Sequence, residues 1–272
     1  MKLAVYIGRD DFASDERIVK MLEDFKEQGC VVYWVSERSD IQSDTDMLLS
    51  VGGDGTFLSA SAILSDSEIP VVGVNLGRMG FLSENRPEDL VEAVMSEDYT
   101  IENRAMLEVG HCENGVCHEE CCHALNEMTV LRSGPSMLEV EACVDGIQLP
   151  TYWADGLVVS TSSGSTAYSL SVGGPIVLPE ARVLIISPIA PHNLNMRPLV
   201  VPDTSKIVLR MKSRDGEFVF SSDNRSMKMA SGTSVSVSMA QFSLRRVRLN
   251  RSNFINALTQ KLFWGEDVRN IK

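Results

Sequence analysis

The sequence predicts an α/β N-terminal domain built on a mainly parallel sheet (1–100), a mainly-β, β-sandwich-like domain (101–250), and a C-terminal helix (251–272) packing back on the first domain. Three observations carry this expectation. In the first hundred residues, short runs that are apolar throughout alternate with stretches of helical period, the pattern of parallel strands covered on both faces. After about residue 100 the rhythm changes to short β-forming runs separated by turn dipeptides. The last stretch returns to helical spacing.

Taken in order, "LAVYIG" (3–8) reads as a buried strand, and Ile18, Val19, Leu22 and Phe25 then recur at helical spacing up to Gly29, a C-terminal stop. Strands in "CVVYWV" (30–35) and "MLLSV" (47–51) precede a helix through "TFLSASAILS" (56–65) and a strand in "IPVVGVN" (69–75). A further helix starts at Pro87, suited to the first helical position, and carries Leu90, Val91, Val94 and Met95 inward. In the second domain the turn signals are Asn114-Gly115, Asp145-Gly146, Asp215-Gly216 and Ser231-Gly232. The β-formers there include "MLEVEACVDG", "KIVLRMK", "EFVFSSD", "TSVSVSMA" and "FSLRRVRL". Finally, "FINALTQKLFW" (254–264) sets Ile255, Leu258 and Leu262 at helical spacing.

With 272 residues and 44% hydrophobic content, the chain has the composition of an ordinary globular protein. Its 25 Lys and Arg against 37 Asp and Glu, a formal charge of -12, work against broad electrostatic binding of nucleic acid or an anionic membrane. An anionic ligand would then need a metal ion or a few local basic groups. The opening "MKLAVYIGRDD" lacks the length of a secretory signal, and no apolar stretch approaches the roughly 18 residues of a membrane span. Six cysteines in such a chain read as free thiols, so the expectation is a soluble, cytoplasmic protein.

Neither a Walker P-loop nor a GxGxxG fingerprint is present. Instead "SVGGDGTFL" (50–58) follows an apolar run, at the carboxyl end of a strand where such sheets bind ligands. Gly52, Gly53 and Gly55 let the backbone approach a ligand, and the helix after Gly55, opening at Thr56, can aim N–H groups at an anion. Asp54 is unexpected in such a turn. A carboxylate 4 Å from a unit negative charge costs about 4 kcal/mol at an effective dielectric of 20. It fits if a cation intervenes or if the carboxylate has a hydroxyl proton to accept, which points to phosphoryl transfer with Asp54 orienting the hydroxyl and Mg²⁺ screening the phosphate. The alternative is a turn in which Asp54 caps the following helix.

In "ALNEMTVL" (124–131), Asn126 and Glu127 are adjacent within a β-run, so one would be buried unless they lie at a strand end or bulge. Ribose hydroxyls or an adenine edge would suit them, the acid accepting; an exposed strand edge is the other reading. In "TYWADGLVVSTSSGSTAYSLSVGGP" (151–175) an apolar strand runs into a hydroxyl-rich turn and a short helix. These small hydroxyls beside glycine could surround a polar ligand, or form a solvent-exposed turn. Ser165 lacks the GxSxG elbow of a hydrolase nucleophile. "HCENGVCHEECCH" (111–123) invites a zinc reading. A turn at Asn114-Gly115 would pair Cys112 with Cys117 and His111 with His118, leaving Cys121 about 13 Å along the strand from Cys117, too far to close a tetrahedral site. A reduced hairpin is the better reading.

Together, GGDGT, "NLGRMGFLSE", Asn126-Glu127, "ADGLVVSTSSGSTAYSLSVGGPIV" and "PHNLNMRPLVVP" (191–202) resemble the bacterial NAD kinase family in order and spacing, over nearly the whole chain. The resemblance implies an α/β domain, a β-sandwich domain and a returning C-terminal segment. It implies transfer of the terminal phosphate of ATP, in some members polyphosphate, to the 2′-hydroxyl of the adenosine ribose of NAD, with a divalent metal such as Mg, in a homodimer or homotetramer. Asp54 would be the proton acceptor, Asn126 and Glu127 would contact the adenosine, and Asp155 would lie near the nicotinamide. Thr166, Ala167, Tyr168, Ser169, Leu170 and Ser171 would form the wall near the adenine, Phe81 would stack on it, and Arg225 would contact ligand. The resemblance implies no protein ligands for the metal, which phosphates would hold. Trp153 stands where many relatives carry a basic residue, and Ser162 replaces the proline of "TPTGST". A lipid or sugar kinase using the same turn, or a non-catalytic dinucleotide sensor, are the competing readings.

Overall fold

The computed structural model describes residues 1–77, 80–113 and 116–265, without the side chains of 112–121. The turn at Asn114-Gly115, the loop residues Arg78 and Met79, and the zinc question posed by Cys112, Cys117 and Cys121 therefore lie outside the described residues.

In chain order, β1 (Lys2–Ile7), α1 (Glu16–Glu27), β2 (Val31–Val35), β3 (Met47–Val51), α2 (Asp54–Leu64), β4 (Val71–Val74), α3 (Pro87–Met95) and β5 (Tyr99–Glu113) open the chain. They are followed by β6 (Val116–Ala124), β7 (Glu127–Arg132), β8 (Leu138–Val144), β9 (Ile147–Gln148), β10 (Tyr152–Ala154) and β11 (Gly156–Thr161). A 3-10 turn (Ser163–Thr166) leads to the single-turn α4 (Tyr168–Ser171). Then come β12 (Val183–Ile189), β13 (Leu199–Pro202), β14 (Ile207–Lys212), β15 (Glu217–Ser222), β16 (Arg225–Ala230), β17 (Ser234–Leu249) and α5 (Phe254–Leu262). Two compact units result, residues 1–103 with 244–272 and residues 104–243, with the boundaries falling inside β5 and β17.

The first unit holds a parallel sheet in the order β17, β4, β3, β1, β2, where only the last residues of β17 take part, Arg246 opposite Val71. The central strand β3 is buried at every position. At the edge, β2 exposes Val31 (58%) and Trp34 (49%), so its apolar run is covered less than the sequence suggests. In α1 the residues at i, i+3, i+4 and i+7, Ile18, Met21, Leu22 and Phe25, face the core, and Val19, one position off that row, does not. For the same reason α3 buries Pro87, Leu90 and Val94 while Met95 turns outward. In α5 the covered row is Phe254, Ala257, Leu258 and Lys261, and the expected Ile255 and Leu262 are exposed.

The second unit packs two antiparallel layers. One orders β10, β8, β14 and the first part of β17; the other orders β13, β12, β11, β7, β15, β16. Alternate residues of facing strands fill the core, among them Met128, Val130, Leu138, Val140, Leu157 and Phe218. Burying each such side chain contributes about 1.5–3 kcal/mol. At the β8–β9 turn Asp145 and Gly146 both have positive φ (51° and 81°), the backbone for which an Asp-Gly pair is suited. β5 and β6 pair with Cys112 opposite Cys117 and His111 opposite His118, the expected backbone register. Cys30, Cys122 and Cys143 are free thiols.

Candidate active site

Val51 ends β3 at the carboxyl edge of the parallel sheet, and the chain turns there through Gly52 (φ 152°) and Gly53 into α2. A Cβ on Gly52 would lie 2.2 Å from Thr56 Oγ1 and one on Gly8 2.0 Å, so the half-buried Thr56 side chain fills the space those glycines leave. Gly53 and Gly55 stand open. Gly53 is the N-cap of α2, without a side-chain bond, so Asp54 does not cap its own helix. Its carboxylate reaches forward instead. Oδ2 accepts the N–H of Phe81 (2.8 Å), and Oδ1 accepts those of Leu82 (3.1 Å) and Ser83 (2.9 Å). A Cβ on Gly80 would lie 1.9 Å from Oδ1, so only glycine there lets the loop close on the carboxylate.

The opposite side of this loop is bound by cations that sequence reasoning missed. Arg246, with a side chain 3% exposed, donates from Nη2 to the carbonyls of Phe81 (3.2 Å) and Leu82 (3.4 Å) and to Glu84 (2.6 Å). Its Nη1 donates to Glu102 (3.1 Å). Lys261 donates from Nζ to the Gly80 carbonyl and lies 5.1 Å from the centre of the Phe81 ring, which also packs against Phe254 at 6.1 Å. The available signal was a charge recurring inside an apolar pattern, Arg246 in "FSLRRVRL" and Lys261 on the covered row of α5.

In the second unit, Asn126 and Glu127 lie where β7 begins, the strand-end placement that lets adjacent polar residues both turn inward. Asp223, in the two-residue turn between β15 and β16, accepts the N–H groups of Leu125 (2.8 Å), Asn126 (2.9 Å) and Glu127 (3.2 Å). Glu127 accepts the backbone N–H of Tyr168, and its Oε2 is buried without a hydrogen-bond partner among the described residues. Burial, and then the neighbouring Asp223 charge, push its carboxyl up to about 8. At neutral pH Glu127 therefore carries a proton and can donate as well as accept, where the sequence alone suggested an acceptor. Burial also pushes Asp223 up, while its three amides and Arg225 pull it back down.

The hydroxyl-rich turn is neither solvent-exposed nor wholly turned to a ligand. Ser162 donates to the Pro179 carbonyl (2.9 Å), Ser165 to that of Val177 (3.1 Å), and Thr161 to that of Leu125 (2.6 Å). Ser169 pairs with Ser187 (3.3 Å). Thr166, Ala167 and Leu170 are half-buried, while Tyr168 and Ser171 are exposed. A Cβ on Gly164 would lie 2.1 Å from the Asn126 carbonyl, so this glycine brings the turn against the start of β7. Asp155 and Trp153 are elsewhere. Ser160 pairs with Glu127 in the sheet, whereas Asp155 precedes β11 at its other end, about 16 Å away along the strand. There Asp155 forms an ion pair with Arg132 (2.7 Å), and the Trp153 side chain is 41% exposed. Arg225 spends its guanidinium on the His123 carbonyl (2.5 Å) and Ser222 (3.4 Å), bracing the segment that carries Asn126.

The chain matches the family models of the ATP-NAD kinase N-terminal domain over residues 12–96 and the ATP-NAD kinase C-terminal domain over residues 125–249. It is 38% identical over 260 residues to the NAD kinase of Flavobacterium psychrophilum, covering 94% of this chain and 88% of that one. To the NAD kinase of Porphyromonas gingivalis it is 44% identical over 228 residues, 82% of this chain and 78% of that one. Among solved structures, yeast NADH kinase complexed with NADH shares the fold (TM-score 0.88, 23% identity, 100% of this chain and 90% of that one). An NAD kinase from Archaeoglobus fulgidus in complex with ATP superposes with a TM-score of 0.75 at 28% identity, over 92% of this chain and 95% of that one. By its two matched domains and its identity to curated relatives over most of its length, the chain belongs to the NAD kinase family.

Proposed function

We propose that this chain transfers the terminal phosphate of ATP to the 2′-hydroxyl of the adenosine ribose of NAD, making NADP, with Asp54 as the proton acceptor. The observation that carries this reading is the state of the Asp54 carboxylate. A carboxylate offers about four lone-pair positions. Among the described residues, backbone amides take two on Oδ1 and one on Oδ2. The remaining position, on Oδ2, suits a hydroxyl proton, and the three amides hold it in one orientation. As that proton passes to Asp54, the ribose oxygen bonds to the terminal phosphorus. The bond from that phosphorus to its bridging oxygen breaks, and ADP leaves with the electron pair. General-base assistance of this kind contributes about 10² to 10⁴ in rate.

In this reading Asn126 and Glu127 hold the adenosine, Glu127 donating its carboxyl proton to a ribose or ring acceptor. The wall from Thr166 to Ser171 packs on the adenine, and Asp155 and Trp153 serve the nicotinamide end. Membership of the family and the archaeal relative's complex with ATP support the donor. A divalent ion held chiefly by the ATP phosphates would screen their charge during transfer. Incubation of the purified protein with NAD⁺, ATP and Mg²⁺ should yield NADP⁺. Asp54→Asn should lower kcat by at least about 10²-fold. Because the asparagine amide turns a donor toward at least one of the three backbone N–H groups, its melting temperature is read beside its rate. Absence of NADP⁺ from the wild type would overturn the activity, and equal rates would overturn the role of Asp54.

A further inference from the structure

The three amides on Asp54 belong to consecutive peptide groups, and each of those groups has its other end bound to a cation. The Gly80–Phe81 peptide gives its N–H to Asp54 Oδ2 and its carbonyl to Lys261. The Phe81–Leu82 peptide gives its N–H to Oδ1 and its carbonyl to Arg246. The Leu82–Ser83 peptide repeats the second arrangement. We propose that Lys261 and Arg246 are positioning residues for the reaction, fixing the Asp54 carboxylate by binding the far ends of the three peptide groups that hold it. The inference rests on the reading of Asp54 as proton acceptor.

The physical case is one of aligned dipoles. Each peptide carries about 3.5 D, and here each points its positive end at a carboxylate and its negative end at an ammonium or guanidinium. Hydrogen bonds in such chains polarise one another, strengthening each by about 10–30% in a low-dielectric setting. That setting exists, since the side chains of Arg246 and Lys261 are 3% and 12% exposed. Burial pulls the Lys261 ammonium below the usual lysine range, with Arg246 acting in the same direction and Glu84 and Asp54 opposing it. Glu84 balances the cations, 2.6 Å from Arg246 and 3.8 Å from Lys261, and accepts the Ser252 hydroxyl at 2.9 Å. The loop is held laterally by Asn85, which donates to the Gly73 carbonyl (2.9 Å), so the cations need only fix its peptide planes.

A residue that merely fastens α5 would change stability alone, whereas a positioning residue changes the rate of the bound complex. In Lys261→Met, kcat should fall roughly tenfold to a hundredfold, the cost of misplacing a reacting group. KM for NAD and ATP should stay near the wild-type values, and Lys261→Arg should recover much of the loss. In ¹H–¹⁵N spectra of the full chain, the Phe81 amide proton should move upfield in Lys261→Met and return in Lys261→Arg, because the cation no longer polarises its peptide. Where Met lowers the yield of folded protein, Lys261→Gln carries the same test, keeping a donor while losing the charge. An unchanged kcat, an unmoved Phe81 amide, or a loss confined to KM overturns the proposal. Full activity in Asp54→Asn with a shifted Phe81 amide in Lys261→Met would instead sink the proton-acceptor reading and leave the clamp as an element of structure.

Discussion

Asp54 and Asp223 use the same device, a carboxylate accepting three neighbouring backbone amides, and they serve different ends. Asp54 is presented by its loop, keeping one acceptor position on Oδ2, whereas Asp223 presents the segment 125–127 and with it Glu127. The energetic cost falls on Glu127, whose carboxyl is raised to about 8 by burial and then by Asp223. The unfolded chain releases that proton near pH 4.3, so between about pH 4.3 and 8 the folded chain holds a proton that the unfolded chain does not. Stability from this group is complete below the lower value and is lost as pH rises through the upper one. Glu127→Gln, which mimics the protonated acid, should remove that loss. Thermal melts at fixed ionic strength should show the wild type falling behind the variant from about pH 5 to about pH 9, and parallel curves would refute the assignment. The adjacency of Asn126 and Glu127 was legible as a polar pair in an apolar run, but the protonation of Glu127 was not, because it depends on a carboxylate about a hundred residues away.

At the scale of elements, the strand, turn and short helix of 151–175 were readable from their pattern, as were the glycine turn after β3 and the change of rhythm after residue 100. What the pattern could not show was where the hydroxyls point. Ser162, Ser165 and Thr161 bond to carbonyls 17, 12 and 36 residues away, contacts that no local periodicity encodes. The helical rows were read correctly at Ile18, Leu22, Phe25, Leu90, Val94 and Leu258, while Val19, Met95, Ile255 and Leu262 fall off them. In α5 the misplaced row concealed Lys261, because a lysine on a buried row contradicts the hydrophobic template. Gly164 shows what the turn requires of its sequence. A methyl group there meets the Asn126 carbonyl at 2.1 Å and cannot be accommodated without moving β11's turn away from β7. Gly164→Ala should cost about 1–3 kcal/mol, as overpacking does. It should also raise KM for NAD more than it lowers kcat, because the displaced turn carries Tyr168 and its contact with Glu127; steady-state kinetics beside a denaturant curve separate the two effects.

Across the whole molecule, the parts of the site that sequence reasoning missed are joined by long-range contacts. Asp54 meets partners 27 to 29 residues on, Arg246 reaches back 165 residues to Phe81, and Lys261 reaches back 181 to Gly80. Family resemblance located the motifs, and only the fold showed which backbone groups they bind. The charge of -12 poses a further problem at this scale, because ATP and NAD are themselves anionic. Arg246 and Lys261 donate to carbonyls and pair with Glu84, and in the proposed reaction a divalent ion travelling with ATP offsets the phosphate charge. Two consequences separate this arrangement from a metal held by the protein. Excess EDTA should abolish NADP⁺ formation, and added Mg²⁺ should restore it in proportion to the Mg–ATP formed. The melting temperature of the ligand-free protein should be the same with and without EDTA, since an ion bound to the folded chain alone would stabilise it by mass action. A fall in melting temperature on chelation would show that the chain itself holds a metal, and the phosphate-borne ion would then be the wrong account.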